Sequence, residues 1–249
     1  MWQICNSLIR KAAQFISGSK IFNLMAEEES GEAVEKIKLA VSVCNQFKLT
    51  YFEYKTTADA ECPSNAWRIP NEAIFGRLDA YLERLHDVHD LTQTVIQLER
   101  LEKIEIGGSK GGEQTETLQA LYTDFTVALK LVEDLKYDIC DIDAPNFSKD
   151  YSTFKGTVNN IEIRLGSLLI EAFDLSPCLY SRFQLLQGFD NLLERPNIAD
   201  CFERRHVVLL EQCIEDLRAS RTLFVSQRDY PPIPANLPPI AGAITWSVG

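Results

Sequence analysis

The sequence predicts an all-α fold, built as an extended array of antiparallel helical bundles. Apolar residues recur at steps of three and four along nearly all of the 249 residues, which is the period of an amphipathic helix. The breaks between periodic segments carry glycine, proline or helix-capping residues. No run alternates apolar and polar residues as a half-buried strand does. Because 45% of the residues are hydrophobic, the chain has enough apolar side chains for a sizeable core.

The N-terminal segment, residues 1–62, contains a long helix with a single apolar stripe. The stripe residues follow helical spacing: Val34, Ile37, Val41, Cys44, Phe47, Tyr51, Tyr54 and Ala58. A break follows between Pro63 and Pro70, where Trp67 is predicted to anchor the packing. We expect the stripe to be partly uncovered and the chain to self-associate, because contiguous exposed apolar surface marks an interaction site.

The central region, residues 63–230, is predicted to be a helical bundle. Its first long helix should begin at Asn71, a good N-cap residue, and run to about Glu105. The wide apolar stripe of this helix suits packing on more than one neighbour. We predict that Gly107 and Gly108 end the helix, because glycine adopts the left-handed backbone of a helix C-terminus without a steric penalty.

Four further helices are predicted in the same region. Apolar periodicity indicates one helix over residues 118–139 and another over residues 151–172. Ser176 and Pro177 have the residue types of an N-cap and a first helical position, so they predict the start of the next helix. The turn at Pro196 opens the last helix.

Residues 231–249 differ in composition from the rest of the chain. Five of the ten prolines lie between Pro231 and Pro239, and this density disfavours a helix. We therefore predict an extended, polyproline-like strap that marks a truncation point. Together with the glycine-marked segment LEKIEIGGSKGG, the strap supplies the candidate structural-motif residues, which are Gly107, Gly108, Pro238, Pro239, Gly242 and Trp246.

The formal net charge of −11 and the pI near 4.8 make nucleic acid and anionic membrane surfaces poor partners. The acidic residues are concentrated between Glu113 and Asp143, where eight acids oppose only Lys130 and Lys136. A solvated helix face explains such a segment, and a docking surface for a basic partner is the alternative.

The seven cysteines form no CxxC pair, which favours a reducing compartment over a disulfide scaffold. Cys44 and Cys213 lie at apolar helix positions, where a free thiol behaves as a small hydrophobe. No apolar run reaches the roughly 18 residues of a membrane span. Arg10 and Lys11 interrupt the apolar stretch that a signal peptide would need.

We identify no catalytic, cofactor or metal site in the sequence. The segment GGSKGG at 107–112 lacks the GxxxxGK[ST] order of a phosphate loop, so we predict an exposed turn around Lys110 and no ATP binding. His86 and His89 lie one helical turn apart without a third ligand nearby in sequence. Neither GxSxG nor HExxH is present, and His206 lies beside two arginines.

The chain resembles the N-terminal tail region of dynein heavy chains, most closely the axonemal ones, over residues 67–246. The elements that carry the resemblance occur in family order: Trp67, AIFGRLDAYLERL, LEKIEIGGSKG, YDICDID, NIEIRLGSLLIEAFD, FQLLQGFDNLLERPNI and PPIAGAITW. Gly112 departs from the family pattern, in which a basic residue often stands at this place.

This resemblance implies a non-catalytic scaffold. Dynein tails are rods of helical bundles that hold heavy chains together, bind intermediate chains and attach the complex to its cargo, which in cilia is the doublet microtubule. It implies as partners dynein intermediate chains and other heavy chains, an indirect association with microtubules, and a place in the cytoplasm, cytoskeleton and ciliary axoneme. The chain would be a tail fragment or a truncated product ending at Gly249, because the motor of a full heavy chain is absent.

Three alternatives remain open at this point. The chain could be a free-standing α-helical adaptor, in which the likeness to the tail is architectural only. It could come from the tail of a cytoplasmic dynein heavy chain. It could also be an enzyme whose site is assembled from dispersed carboxylates, and a perturbed, buried acid pair in a pocket would support that reading.

Overall fold

A computed structural model describes residues 1–17, 27–61, 69–108, 110–193, 195–233 and 237–248. These residues form nine α-helices and one short 3₁₀-helix, with no strand among them, so the all-α prediction is confirmed. The helices are α1 Trp2–Ser17, α2 Glu27–Glu61, α3 Asn71–Glu99, α4 Gly111–Glu133, α5 Phe147–Leu175, α6 Leu179–Gly188, α7 Asp190–Leu193, α8 Pro196–Gln227 and α9 Pro239–Val248.

Helix α3 lies at the centre of the bundle. It packs against α1 and α2 on one side and against α4 and α7 on the other, while α5 bridges α4 and α8. The buried side chains form one continuous cluster that extends from Cys5 in α1 to Leu209 in α8. The wide stripe of α3 therefore contacts several neighbours, as predicted, because both of its apolar sides are covered.

The boundaries of α3 differ from the prediction at both ends. Pro70 occupies the N-cap and Asn71 is the first helical residue, while Pro63 and Trp67 lie outside the described residues. The α-helix ends at Glu99 and continues as a 3₁₀-helix, Arg100–Lys103, before extended backbone at Ile104 ends it.

The prediction that Gly107 and Gly108 close the last turn of this helix is wrong. The helix has already ended at Lys103, and the two glycines lie in the connection to α4. Gly108 has a φ of 108°, a backbone conformation that residues other than glycine rarely adopt. Gly107 lacks a positive φ, and an added Cβ there would meet no atom within 4 Å.

Replacing Gly108 with valine is therefore expected to lower the free energy of unfolding by about 1–3 kcal/mol, because a β-branched residue is strained at positive φ. Gly107→Val is the matched control and should leave stability nearly unchanged, since its backbone has no such requirement. Lys110→Ala should stay within about 0.5 kcal/mol of the parent chain. Urea unfolding monitored by circular dichroism measures all three, and equal losses for the two valine variants would contradict the assignment.

The start predicted at Ser176 and Pro177 is also displaced. Ser176 instead ends α5, and its hydroxyl donates to the carbonyl of Ala172 at 2.9 Å. Cys178 caps α6 two residues later, in a capping box with Ser181. The start of α8 at Pro196 is confirmed, because proline at the first helical position has the φ that a helix needs and no amide hydrogen to satisfy.

The extended strap predicted over 231–249 is wrong for residues 239–248, which form α9. Pro238 precedes this helix and Pro239 is its first residue, so the proline-rich run ends where the helix starts. Residues 231–233 have no regular secondary structure, and residues 234–236 lie outside the described part of the chain.

Two residues of the C-terminal motif hold α9 in place. The ring of Trp246 stacks on Phe224 of α8, with ring centroids 5.4 Å apart and an interplanar angle of 11°. Gly242 is buried against Ile233, and a Cβ at this position would lie 2.1 Å from the Ile233 side chain. Glycine is needed at this position because the preceding segment approaches the helix too closely for any side chain.

Candidate interaction surfaces

Two arginines of α3 hold the loop that follows α4. Arg84 donates to the carbonyls of Ile139 and Asp141 at 3.1 and 2.7 Å, and its guanidinium lies 3.9 Å from the ring centre of Phe147. Two turns earlier on the helix, Arg77 pairs with Asp143. The segments AIFGRLDAYLERL and YDICDID, distant in sequence, are thus the two halves of one contact.

A buried ion pair joins α3, α5 and the start of α8. Arg195 pairs with Glu162, whose side chain is only 2% exposed, and also donates to Gln97 at 2.6 Å. Thr94 accepts a further hydrogen bond from Arg195 at 3.3 Å. Asn197 donates to the second carboxylate oxygen of Glu162 at 2.6 Å. Because both charges are paired and hydrogen-bonded, this cluster positions helices and offers no free acid for chemistry.

The cleft beside this pair has a volume of about 290 Å³ and contains the acid Asp90. Burial raises the pKa of Asp90, but hydrogen bonds from Tyr151 at 2.7 Å and Lys155 at 3.2 Å outweigh it, so that this pKa lies below its ordinary value. The neighbouring Asp87 has a raised pKa, chiefly from burial. Both carboxylates of the cleft, Asp90 and Glu162, already have cationic partners, so the cleft lacks the paired free acids of a hydrolytic site.

The glycine-rich segment follows the 3₁₀-helix, whereas a phosphate-binding loop follows a β-strand. Lys110 is half exposed and its ammonium group lies 3.8 Å from the carboxylate of Glu171 on α5.

The two histidines of α3, His86 and His89, have different surroundings. His86 bonds through Nδ1 to the carbonyl of Leu82, whereas burial lowers the pKa of His89. No group of three potential metal ligands occurs in the described ranges.

Much of the acidic segment faces solvent, but some of its carboxylates are bound within the chain. Asp124 pairs with Arg164 of α5 at 2.7 Å, and Asp143 pairs with Arg77. The Asp138 and Asp141 carboxylates accept backbone amides two residues ahead, which shapes the loop. These contacts favour a structural, solvated role over docking of a basic partner.

The apolar stripe predicted on α2 is buried over its first half and exposed towards its end, so the expectation that it is partly uncovered is confirmed. Val34, Ile37 and Cys44 are buried against the other helices, while Tyr54 is 73% exposed. The exposed apolar residues of α2 lie on its other side, where Leu39 and Val43 are about half exposed.

These residues of α2 meet α1 in an apolar groove, which we call the α1–α2 groove. It is lined by Leu8, Lys11, Ala12, Phe15, Leu39, Ala40, Val43 and Cys44, with a volume of about 230 Å³. Among its lining residues that the structure describes, Lys11 is the only charged one, and Arg10 is exposed beside it on α1, which contains no acid. The groove is thus an apolar surface with a basic rim on an acidic chain.

Helix α8 carries the largest concentration of exposed apolar side chains. Its first half packs on α5, α6 and α7 through Ile198, Phe202 and Leu209. In contrast, every residue from 214 to 226 is exposed. The exposed apolar residues of this helix are Val207, Val208, Leu210, Ile214, Leu217, Leu223, Phe224 and Val225. Ile240 and Ile244 of α9 are also exposed.

The cysteines divide by burial. Burial raises the pKa of Cys44 to about 11 and that of Cys140 to about 12, so both are neutral thiols within the core. The apolar placement predicted for Cys44 is therefore observed, whereas Cys213 is only half-buried. None of the helices in the described part of the chain has the length and apolar character needed to cross a bilayer.

Sequence reasoning missed the contacts made by Arg84, Glu162 and Arg195. No local signal distinguishes these charged residues from the solvated ones, because their partners lie 33 to 101 positions away. The exposed side of α8 did carry a readable signal. Its apolar residues recur every seven positions, a repeat that the three-and-four pattern of a bundle helix conceals.

Comparison with known proteins places the chain among the dyneins. The family model for dynein heavy chain, N-terminal region 1, matches residues 1–249, and so includes residues 1–66, which precede the motifs that carry the resemblance. The chain is 37% identical to the flagellar outer arm dynein beta chain of Chlamydomonas reinhardtii, over 100% of its own length and 5% of that protein.

Two further relatives are animal proteins. Dynein axonemal heavy chain 9 of Homo sapiens is 27% identical over 98% of this chain, and the match covers 6% of the human protein. The ciliary dynein beta chain of Heliocidaris crassispina has the same identity and coverage. The chain spans about a twentieth of the length of these relatives. It belongs to the family of dynein heavy chain N-terminal regions.

Proposed function

We propose that the chain acts as a non-catalytic scaffold in the tail of an axonemal dynein heavy chain. In this role it joins heavy chains to one another, binds dynein intermediate chains and helps attach the complex to the doublet microtubule of the cilium. It reaches the microtubule through its partners. The observation that carries the proposal is the exposure of apolar side chains on two separate surfaces, the α1–α2 groove and α8, in a member of this family.

The composition of these surfaces supports binding to other proteins. Stable protein interfaces have apolar and aromatic residues at their centres and arginine among their enriched residues. The α1–α2 groove combines Phe15, Leu39 and Val43 with the basic residues Arg10 and Lys11. We assign it to an intermediate chain that presents apolar side chains flanked by acids.

The names of the relatives place them in cilia and flagella, and this supports the axoneme as the site of action. The carboxylates of the described clefts are engaged by arginine, lysine and tyrosine, which supports a scaffold over an enzyme. A free-standing adaptor would use the same surfaces but would not recognise dynein intermediate chains.

Co-purification with recombinant axonemal intermediate chains tests the proposal. The parent chain is expected to retain an intermediate chain, and Val43→Asp should reduce retention at least about tenfold, because a buried charge without a partner opposes docking. Leu131→Asp is the matched control, since Leu131 is 67% exposed on α4, away from the groove. Failure of the parent chain to retain any intermediate chain, with its fold intact, would favour the free-standing adaptor.

A further inference from the structure

His89 lies on a side of α3 that faces α2. Phe75, near the start of α3, contacts the ring of Phe52 of α2, with ring centres 5.6 Å apart. Four positions later on α3, Asp79 pairs with Lys48, which lies four positions earlier on α2. The two helices therefore run antiparallel. His89 continues this line of contacts, because steps of three and four residues keep to one side of a helix.

The charged groups around His89 come from α2 and from α3 itself. On α2 they are Lys38, which the antiparallel register places level with His89, and Glu35. On α3 they are His86, one turn earlier, and Asp90, the next residue. A positive charge on His89 would be opposed by Lys38, and by His86 once that ring is protonated.

Both of the nearby acids already have partners. The ammonium group of Lys38 donates to Glu35 at 2.9 Å. Asp90 accepts hydrogen bonds from two residues of α5, at 2.7 and 3.2 Å, and the second of these donors is a lysine. A proton gained by His89 would therefore bring a cation to the α2–α3 contact without a free carboxylate to balance it.

The ring of His89 is also poorly placed to carry a charge. Its Nε2 atom is buried and has no hydrogen-bond partner in the part of the chain that the structure describes. A neutral ring loses less by such burial than a charged ring, which gives up the solvation of its charge. Burial is the main cause that lowers the pKa of His89 below its ordinary value, and Lys38 adds to it. Protonation of His89 and close packing of α2 on α3 therefore oppose each other.

The α1–α2 groove depends on the same contact. Its α2 side begins at Leu39, the residue next to Lys38, and continues to Cys44. Helix α1 forms the other side, and its charged residues, Arg10 and Lys11, lie at this groove. Both α1 and α2 pack against α3, so α3 is the base on which the two sides of the groove rest. A shift of α2 on α3 therefore changes the spacing between the two sides.

We propose that His89 is a proton-sensitive contact between α2 and α3, which keeps the α1–α2 groove in its binding shape when the ring is neutral and loosens it when the ring is protonated. This deepens the proposed function, on which it rests, by giving the groove a regulation. Mild acid should weaken the binding of an intermediate chain, and neutral pH should restore it.

The pH range follows from the two states of the chain. The unfolded chain binds this proton at the ordinary imidazole pKa of about 6.5, and the folded chain binds it only at lower pH. The contact therefore contributes its full stability above about pH 6.5, and this contribution is lost as the pH falls below that value.

Thermal unfolding at about pH 7.5 and about pH 5.5 tests the effect of the proton on the fold. Between these two values the melting temperature of the parent chain should fall at least about 3 °C further than that of His89→Gln, which has no ring to protonate. His86→Gln is the matched control and should behave as the parent does, because His86 is exposed. The acids titrate in all three proteins, so the comparison isolates His89. An equal fall in the parent and in His89→Gln would overturn the proposal.

NMR titration of the histidine rings provides a measurement that packing alone does not change. The chain has three histidines, so single replacements by glutamine assign every signal. The midpoint of His89 should lie below about 6.5, and Lys38→Met should raise it, because a neighbouring cation is removed. Lys36→Met is the matched control, since Lys36 pairs with Glu32 at 2.7 Å. A His89 midpoint at or above the ordinary value, or one that Lys38→Met does not move, would contradict the proposal.

Co-purification with a recombinant axonemal intermediate chain at the same two pH values connects the contact to the groove. Retention by the parent chain should fall at least about threefold at the lower pH, and His89→Gln should lose less. Retention that is equal at both pH values in the parent overturns the regulation and leaves the scaffold role intact. A chain that retains no intermediate chain at either pH contradicts the assignment of the groove and, with it, the regulation, so the two failures are distinguishable.

Discussion

Replacing Arg195 with alanine is expected to lower the free energy of unfolding by about 3–5 kcal/mol, because it leaves a buried carboxylate without its cation. Glu162 is 2% exposed, so water cannot solvate the charge that remains. Gln97 and Thr94 would lose a hydrogen-bond donor at the same time. Since these residues belong to α3, α5 and the approach to α8, the loss should loosen the junction of the three helices.

Urea unfolding of three variants distinguishes this explanation from a general loss of packing. The double variant R195M/E162L removes both charges and keeps apolar volume, so it should recover most of the stability lost in Arg195→Ala. Arg164→Ala breaks the half-exposed pair with Asp124 and should cost at most about 1 kcal/mol. A similar loss for Arg164→Ala and Arg195→Ala would contradict the importance of burial.

The second large effect is expected at Gly111, the first residue of α4. A Cβ at this position would lie 2.2 Å from the carbonyl oxygen of Ile106, a backbone atom that cannot rotate away. The amide of Ile106 also donates to the Thr115 hydroxyl at 3.0 Å, which fixes the loop against the helix. Gly111→Ala should therefore lower the free energy of unfolding by about 1–3 kcal/mol, through overpacking.

The adjacent glycine provides a control of opposite sign. Gly112 is exposed, and a Cβ there would meet no atom within 4 Å. Gly112→Ala should leave stability unchanged or raise it by up to about 1 kcal/mol, because alanine restricts the unfolded chain without straining the helix. Thermal unfolding of the two variants is the measurement, and a stable Gly111→Ala would show that the Ile106 carbonyl is free to move.

The helical elements were predictable because their signals are local. Residues such as Ile37, Cys44, Leu78 and Leu85 lie on the buried sides of α2 and α3, as their spacing indicated. Pro196 marked the start of α8 through its own backbone geometry. The apolar period of a helix can be recognised from the residues of that helix alone, without knowledge of the helices that pack against it.

Helix ends were less predictable because several residues compete for each one. The glycine pair at 107–108 has the composition of a helix stop, yet α3 passes into a 3₁₀-helix and ends before it. The prolines near the C-terminus indicated an extended segment, yet Pro239 starts α9. In each case the residue type permits more than one conformation, and packing against other helices selects one of them.

The amino-acid sequence by itself determined the helical class of this protein, the positions of its long helices and its membership of the dynein heavy-chain tail family. Only the tertiary structure decided which charges are buried and which apolar sides are left uncovered. Arg195 and Thr94 are 101 positions apart and meet only after α3, α5 and α8 have packed together. Helical periodicity depends on residues three and four positions apart, so it can be recognised in the sequence. Burial depends on how all the helices pack together, so it can be known only from the tertiary structure.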